Sequence, residues 1–296
     1  MRRVSTFLVG VAASALGQIA TAPGAFADPI LPSALASFAV LGAEGVTNVA
    51  PSIIGGNVGS APNPSVGGGY VFTAPGTGLE ANTPLAQQAQ RDLDAAILAV
   101  NGMGPRLTIG ADLTGTILPG VYTVPAAATN LSGALILDGG GSNTAVWAFL
   151  FPSTLITSTT STVSVVNVGD GSGVGLYWSV GSAATLNGPT FAGNVLAHAL
   201  ISSDGHLTID CGRLLSATAQ VTLNQDTIST GCAGTGFQRS GGFDQAGVNG
   251  GGGNGGGAPV VPEPATLVLL GTGLAGLMAR RLRSARERQR DLALEA

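Results

Sequence analysis

The sequence predicts a mainly β chain wound as a β-solenoid, and three observations lead there. After residue 105 the apolar residues come in runs of three to six, many alternating with Thr or Ser, as in strands with one buried face. Gly, Asn, Asp or Pro separates most runs. A spacing of roughly 20 residues passes through Leu135, Leu155, Leu176 and Leu196, the length of one solenoid coil. Only one stretch reads as a long helix. A β-sandwich would use the same strands, and composition alone leaves it open.

The elements follow in order. Thr83 is placed to cap a helix and Pro84 fits its first position. Leu85, Ala89, Leu93, Ala96 and Val100 then fall on one stripe, and Asn101-Gly102 supplies the stop. About 17 residues make a rod of about 25 Å, enough to lie along about five stacked coils. The strands expected after it include 135–137, 146–151, 163–168, 176–180, 207–209 and 221–223.

Charge is sparse and unevenly placed. Charged residues are 9% of the 296, there is no Lys, and eight of the 12 Arg lie in the two ends. Residues 28–260 hold four Arg against 12 Asp and Glu, which leaves no basic surface for nucleic acid. The 45% of hydrophobic residues argue against disorder.

Both ends read as addresses. Arg2-Arg3, an apolar run over 4–16 and Ala25-Phe26-Ala27 have the layout of a secretory signal peptide over 1–27. Residues 28–232 form the expected domain, and the Gly-rich stretch 233–260, with 12 Gly between 234 and 257, is expected to be a flexible linker. Over 261–296 come Pro262-Glu263-Pro264, an apolar segment at 265–279 and an Arg-rich tail. This end resembles the PEP-CTERM sorting signal of Gram-negative bacteria. The resemblance implies transient inner-membrane anchoring, cleavage by an exosortase, and delivery to the cell surface or extracellular matrix.

Candidate chemistry is thin. His198 and His206 lack a third His and convincing ligand spacing, so no metal site and no cofactor are expected. No Gly-x-Ser-x-Gly elbow stands between a strand and a helix. Asp92 and Asp94 are two apart on a helix and do not face each other. The chain therefore reads as a non-enzyme. Cys211 and Cys232 are 21 residues apart, about one coil, and in an oxidising compartment they are expected to form a disulfide; two free thiols are the alternative.

The core of the chain carries a family resemblance. Phe38-Ala39-Val40-Leu41, Val46-Thr47-Asn48 and Ile54-Gly55-Gly56-Asn57-Val58-Gly59 open it. Leu118-Pro119-Gly120-Val121-Tyr122, Ala145-Val146-Trp147-Ala148-Phe149 and Tyr177-Trp178-Ser179-Val180-Gly181-Ser182 continue it. Phe191-Ala192-Gly193-Asn194-Val195-Leu196-Ala197 and Gly212-Arg213-Leu214-Leu215 complete it. Together these are similar to the ice-binding-protein-like family, DUF3494. The resemblance implies a right-handed discontinuous β-helix with one long α-helix packed alongside, and adsorption to ice or ordered water through a flat Thr/Ser-rich face. Outward candidates for that face are Thr157, Thr159, Thr162, Ser164, Thr185, Thr190, Thr208 and Thr222. The rival reading is an extracellular matrix or adhesion module of the same fold, in contact with extracellular polysaccharide and never with ice.

Overall fold

The computed structural model describes residues 29–232 and 239–245, which lie within one compact unit. The expected signal peptide, and the C-terminal signal with Pro262, Glu263 and Pro264, fall outside the described residues. Among the described residues no helix is long and apolar enough to cross a membrane.

The strands form parallel ladders on a three-sided solenoid, so the sandwich is not adopted. Each coil visits three faces in a fixed order, here named A, B and C. The coil with Gly175–Val180 on face A and Ala184–Leu186 on face B then reaches face C at Thr190. Strand Thr190–Ala197 turns the next corner without leaving the sheet, through a bulge between Phe191 and Gly193 where Gly193 takes φ +90°. Its second half belongs to face A.

Coil length is where the sequence reading fails. Thr162 and its neighbour Thr190 are 28 residues apart, whereas Thr190 and Thr208 are 18 apart and Thr208 and Thr227 are 19. The earlier coils are longer because excursions between Asp138 and Val146, and between Val166 and Gly175, loop out at the corner from face C to face A. Leu135, Leu155, Leu176 and Leu196 are therefore no single ladder. Leu135 faces inward on C, Leu155 inward on B and Leu176 inward on A, while Leu196 faces the helix.

The stack is discontinuous in chain order. The first strand, Phe38–Gly42, pairs with Thr208–Ser216 near the other end of the domain, and strands Asn57–Ser60 and Leu79–Ala81 extend face A beyond it. The long helix, Pro84–Gly102, then carries the chain back along face A to strand Arg106–Thr108 at the opposite end. Thr83 caps it as expected, its Oγ1 accepting from the Ala86 amide at 3.3 Å. The buried stripe is Ala86, Ala89, Leu93, Ala96 and Val100, with Ala86 in place of the expected Leu85. Small residues let the helix approach a flat sheet closely.

Two apolar cores result. The inner one runs along the solenoid axis and includes the inward row of face A: Tyr122, Phe149, Trp178, Val195, Leu214, Val40 and Val58 in adjacent register. Phe149 stacks on Tyr122 at 5.5 Å and on Trp178 at 4.5 Å between centroids. Trp178 Nε1 donates to the Ala192 carbonyl at 2.9 Å, so this indole is buried without an orphan donor. The outer core lies between the helix and the outward row of face A, with Phe38, Leu41, Ala148, Leu150, Tyr177, Leu196 and Leu215. The helix thus covers face A between its end strands, Leu79–Ala81 and Arg106–Thr108, which leaves B and C as the open faces.

The domain ends later than residue 232. Residues 239–245, expected to belong to the flexible linker, pack on the corner from face C to face A. Asp244 forms an antiparallel bridge with Gly175, and Phe243 is 1% exposed. Burial of one Phe contributes about 2 kcal/mol, which the surrounding Gly residues could not supply.

Candidate functional site

Face B is a five-stranded parallel sheet with no register shift: Leu155–Ile156, Ala184–Leu186, Ile201–Ser203, Val221–Asn224 and Val46–Val49. Leu155, Ala184, Ile201, Val221 and Val46 point inward and are buried. The period of two sends their neighbours outward, so that Ile156, Thr185, Ser202, Thr222 and Thr47 stand side by side in one row. Thr47 Oγ1 donates to Thr222 Oγ1 at 3.1 Å, a bond that fixes two hydroxyls across the junction between the first strands of the chain and the last coil. That row carries no charge. Asp204, exposed at the rim, follows strand Ile201–Ser203 directly.

Face C presents a second row. Thr162, Thr190, Thr208 and Thr227 are neighbours in register, and Ile53 and Val71 continue the line. This face is interrupted. Strand Thr162–Val166 pairs with Thr190–Ala197 at one position only, and beyond it the two diverge. A depression of about 360 Å³ opens there, lined by Val163, Val165, Phe191, Ala192, Asp210 and Phe243 among others. Burial raises the Asp210 carboxyl above its ordinary pKa, with a backbone hydrogen bond at Cys211 opposing it.

The expected site residues therefore divide. Thr185 and Thr222 lie on face B, while Thr162, Ser164, Thr190 and Thr208 lie on face C. Thr159 is exposed in a turn between the two and belongs to neither ladder. Thr157 is a correction. It is 1% exposed and its Oγ1 accepts from the Asn187 amide at 2.8 Å, so the hydroxyl braces a corner from within and meets no surface ligand. Ser202 and Thr47, which are not among the expected residues, stand in the face B row with Thr185 and Thr222. Ser202 sits in the three-residue strand Ile201–Ser203, and Thr47 is remote in sequence from the coil it joins.

A buried corner supports face B. Asp226 Oδ1 accepts from the Leu207 amide at 3.0 Å and Oδ2 from the Asn224 amide at 3.0 Å and from Ser203 Oγ. The Asp226 amide donates to Ser52 Oγ at 3.0 Å. Burial raises the Asp226 carboxyl, and these hydrogen bonds with the nearby His206 oppose the rise. Cys211 and Cys232 are joined in a disulfide that closes the coil carrying Thr222. His198 and His206 are both exposed, and no group of three or more His, Cys, Asp or Glu is placed to hold a metal among the described residues.

The chain is similar to proteins named for ice binding. An ice-binding protein of Nostoc sp. (strain HG1) is 33% identical over 246 residues, which is 82% of each chain. One of Flavobacterium frigoris (strain PS1) is 27% identical over 210 residues, 66% of this chain and 74% of the other. The crystal structure of an ice-binding protein from the Antarctic ascomycete Antarctomyces psychrotrophicus superposes with a TM-score of 0.57 at 32% identity, covering 67% of this chain and 96% of that one. An ice-binding protein from an Antarctic biological consortium gives 0.60 at 26% identity, over 70% and 93%. At the C-terminus a PEP-CTERM protein-sorting motif matches residues 260–284 and marks the chain for export. The Ice-binding-like family model matches residues 40–229, and the chain belongs to that family.

Proposed function

We propose that the protein adsorbs to ice through face B and thereby slows ice growth and recrystallisation. One observation carries the choice of face. The Ile156, Thr185, Ser202, Thr222 and Thr47 row is unbroken and uncharged, on a sheet without bulges. Such a sheet holds its outward groups about 4.7–4.9 Å apart between coils and about 6.6–6.8 Å apart along a strand. Hydroxyls and methyls fixed on that grid order water without the entropy of immobilising long side chains. Many weak contacts then act together, so adsorption is strong although each is small.

The relatives are named for ice binding, and this supports the same activity here over a matrix or adhesion module. The protein acts by adsorption and catalyses no reaction. The sorting motif supports processing by an exosortase after transient anchoring in the inner membrane of a Gram-negative bacterium. Its destination is then the cell surface or the extracellular matrix, where polysaccharide is a neighbour.

Ice-affinity partitioning tests the proposal. The purified chain is expected in the ice fraction well above an inert control of equal size. Partitioning equal to the control would reject ice binding, and the matrix reading would replace it.

A further inference from the structure

Both ends of the described domain leave it at one place. The Ile30 amide donates to the Asp244 carbonyl at 3.2 Å, which sets the first and last described residues side by side. Arg213, 2% exposed, ties the same spot together. Its Nε and Nη2 donate to the Ala36 carbonyl at 3.0 and 2.8 Å, and Nη2 also reaches the Gly241 carbonyl at 2.8 Å. Nη1 donates to Asn194 Oδ1 at 2.8 Å and to the Gly242 carbonyl at 3.2 Å. Asn194 Nδ2 in turn donates to the Gly242 and Phe243 carbonyls at 3.0 and 2.9 Å, and the Tyr177 hydroxyl to the Gln245 carbonyl at 3.0 Å. A buried guanidinium is costly unless its donors are satisfied, and here N-terminal and C-terminal carbonyls satisfy them together.

The position of this clasp has a consequence for face B. Gly175, Asn194 and Arg213 all stand where a coil passes from face C to face A. On a three-sided coil, the edge between C and A is the one opposite face B. Fourteen residues separate Gln245 from the sorting motif at residue 260, at most about 50 Å of extended chain. We infer that the Arg213 clasp gathers both ends of the domain at the edge opposite face B, so that a surface holding the chain by its C-terminal region is faced by the clasp and ice by face B. The inference rests on face B being the ice-binding surface. It makes the protein a presenter of ice contact to whatever carries it, rather than only a diffusing inhibitor.

Directional immobilisation tests this. The full chain receives one biotin through an azido residue at Gly247 just beyond the clasp, at Asp28 just before it, or at Asp204 on the rim of face B. Each is coupled to streptavidin beads at equal density, and the fraction of beads retained on ice under flow is measured. Beads coupled at Gly247 and at Asp28 are expected to be retained within about twofold of each other, and beads coupled at Asp204 about tenfold less. Failure of the Gly247 beads while the same labelled protein partitions into ice in solution would overturn the inference and leave the ice-binding reading intact. Equal retention of all three would overturn it too. Absence of partitioning in solution for the unlabelled chain would instead reject the ice-binding reading on which it rests. A Phe243→Ser variant checks the clasp itself by hydrogen exchange. Amides of 241–245 are expected to lose protection while those of the face B strands keep it, and unchanged protection at 241–245 would show that the clasp does not depend on this anchor.

Discussion

Faces B and C are built from the same material and differ in what the fold does with it. Each presents a row of outward Thr or Ser on parallel strands, and each includes residues from both ends of the chain. Face B keeps its register across five strands. Face C borders a bulge, diverges at one pairing, and opens into a depression beside Asp210. Hydroxyl content alone therefore does not make a template for ordered water. Under the proposed function that role belongs to continuity of register, which Asp226 braces at the corner of face B and which face C loses where Thr162–Val166 and Thr190–Ala197 diverge.

The largest expected effect comes from the disulfide, which closes the coil carrying Thr222. Replacing Cys211 and Cys232 by Ala removes a 21-residue loop constraint. Loss of about 3 kcal/mol is expected from chain entropy, read as a lower midpoint in urea unfolding. Ice binding is then expected to persist at low temperature and to fail as the coil loosens. Next comes a direct test of the two faces. Thr222→Tyr places a bulky ring in the middle of the face B row and is expected to weaken ice binding about tenfold, equivalent to about 1.4 kcal/mol. Thr208→Tyr, its counterpart on face C, is expected to leave ice binding within about twofold. Equal losses would show that both faces act together, and the reverse ranking would move the site to face C.

Thr157→Val should cost stability and spare activity. The Asn187 amide loses its acceptor, at about 1–2 kcal/mol, visible in urea unfolding while ice partitioning at 4 °C or below is unchanged. The smallest effect is on pH dependence. Burial raises the Asp226 carboxyl, so the folded state holds that proton more firmly than the unfolded chain does. The associated stability is present in acid and is lost as pH rises through the raised value. Asp226→Asn should remove that part of the slope of stability against pH, measured by unfolding at several pH values below neutrality.

The helix was legible in the sequence because its signals are local: a Thr-Pro start, an Ala-rich stripe, an Asn-Gly stop. Alternating strands were legible for the same reason. Which face a Thr occupies was not, since the period of two reports in or out and says nothing of which side of the triangle is meant. Thr157 shows the limit, because a buried Thr with a satisfied hydroxyl reads like an exposed one. Coil length escaped because the excursions after Asp138 and Val166 insert residues that belong to no ladder. The clasp left two marks that composition hid. Arg213 stands alone in an apolar run, and Phe243 and Asp244 break a Gly-rich stretch that otherwise reads as linker.

The strand that opens the domain finds one of its two neighbours only near the end of it. Thr47 bonds Thr222 across 175 positions, and Arg213 reaches Ala36 across 177. Phe38–Gly42 pairs on one edge with the nearby Asn57–Ser60, but its other edge has no partner until Thr208–Ser216 is in place. Contact order this high makes closure slow and places the whole domain under the risk of mispairing until then.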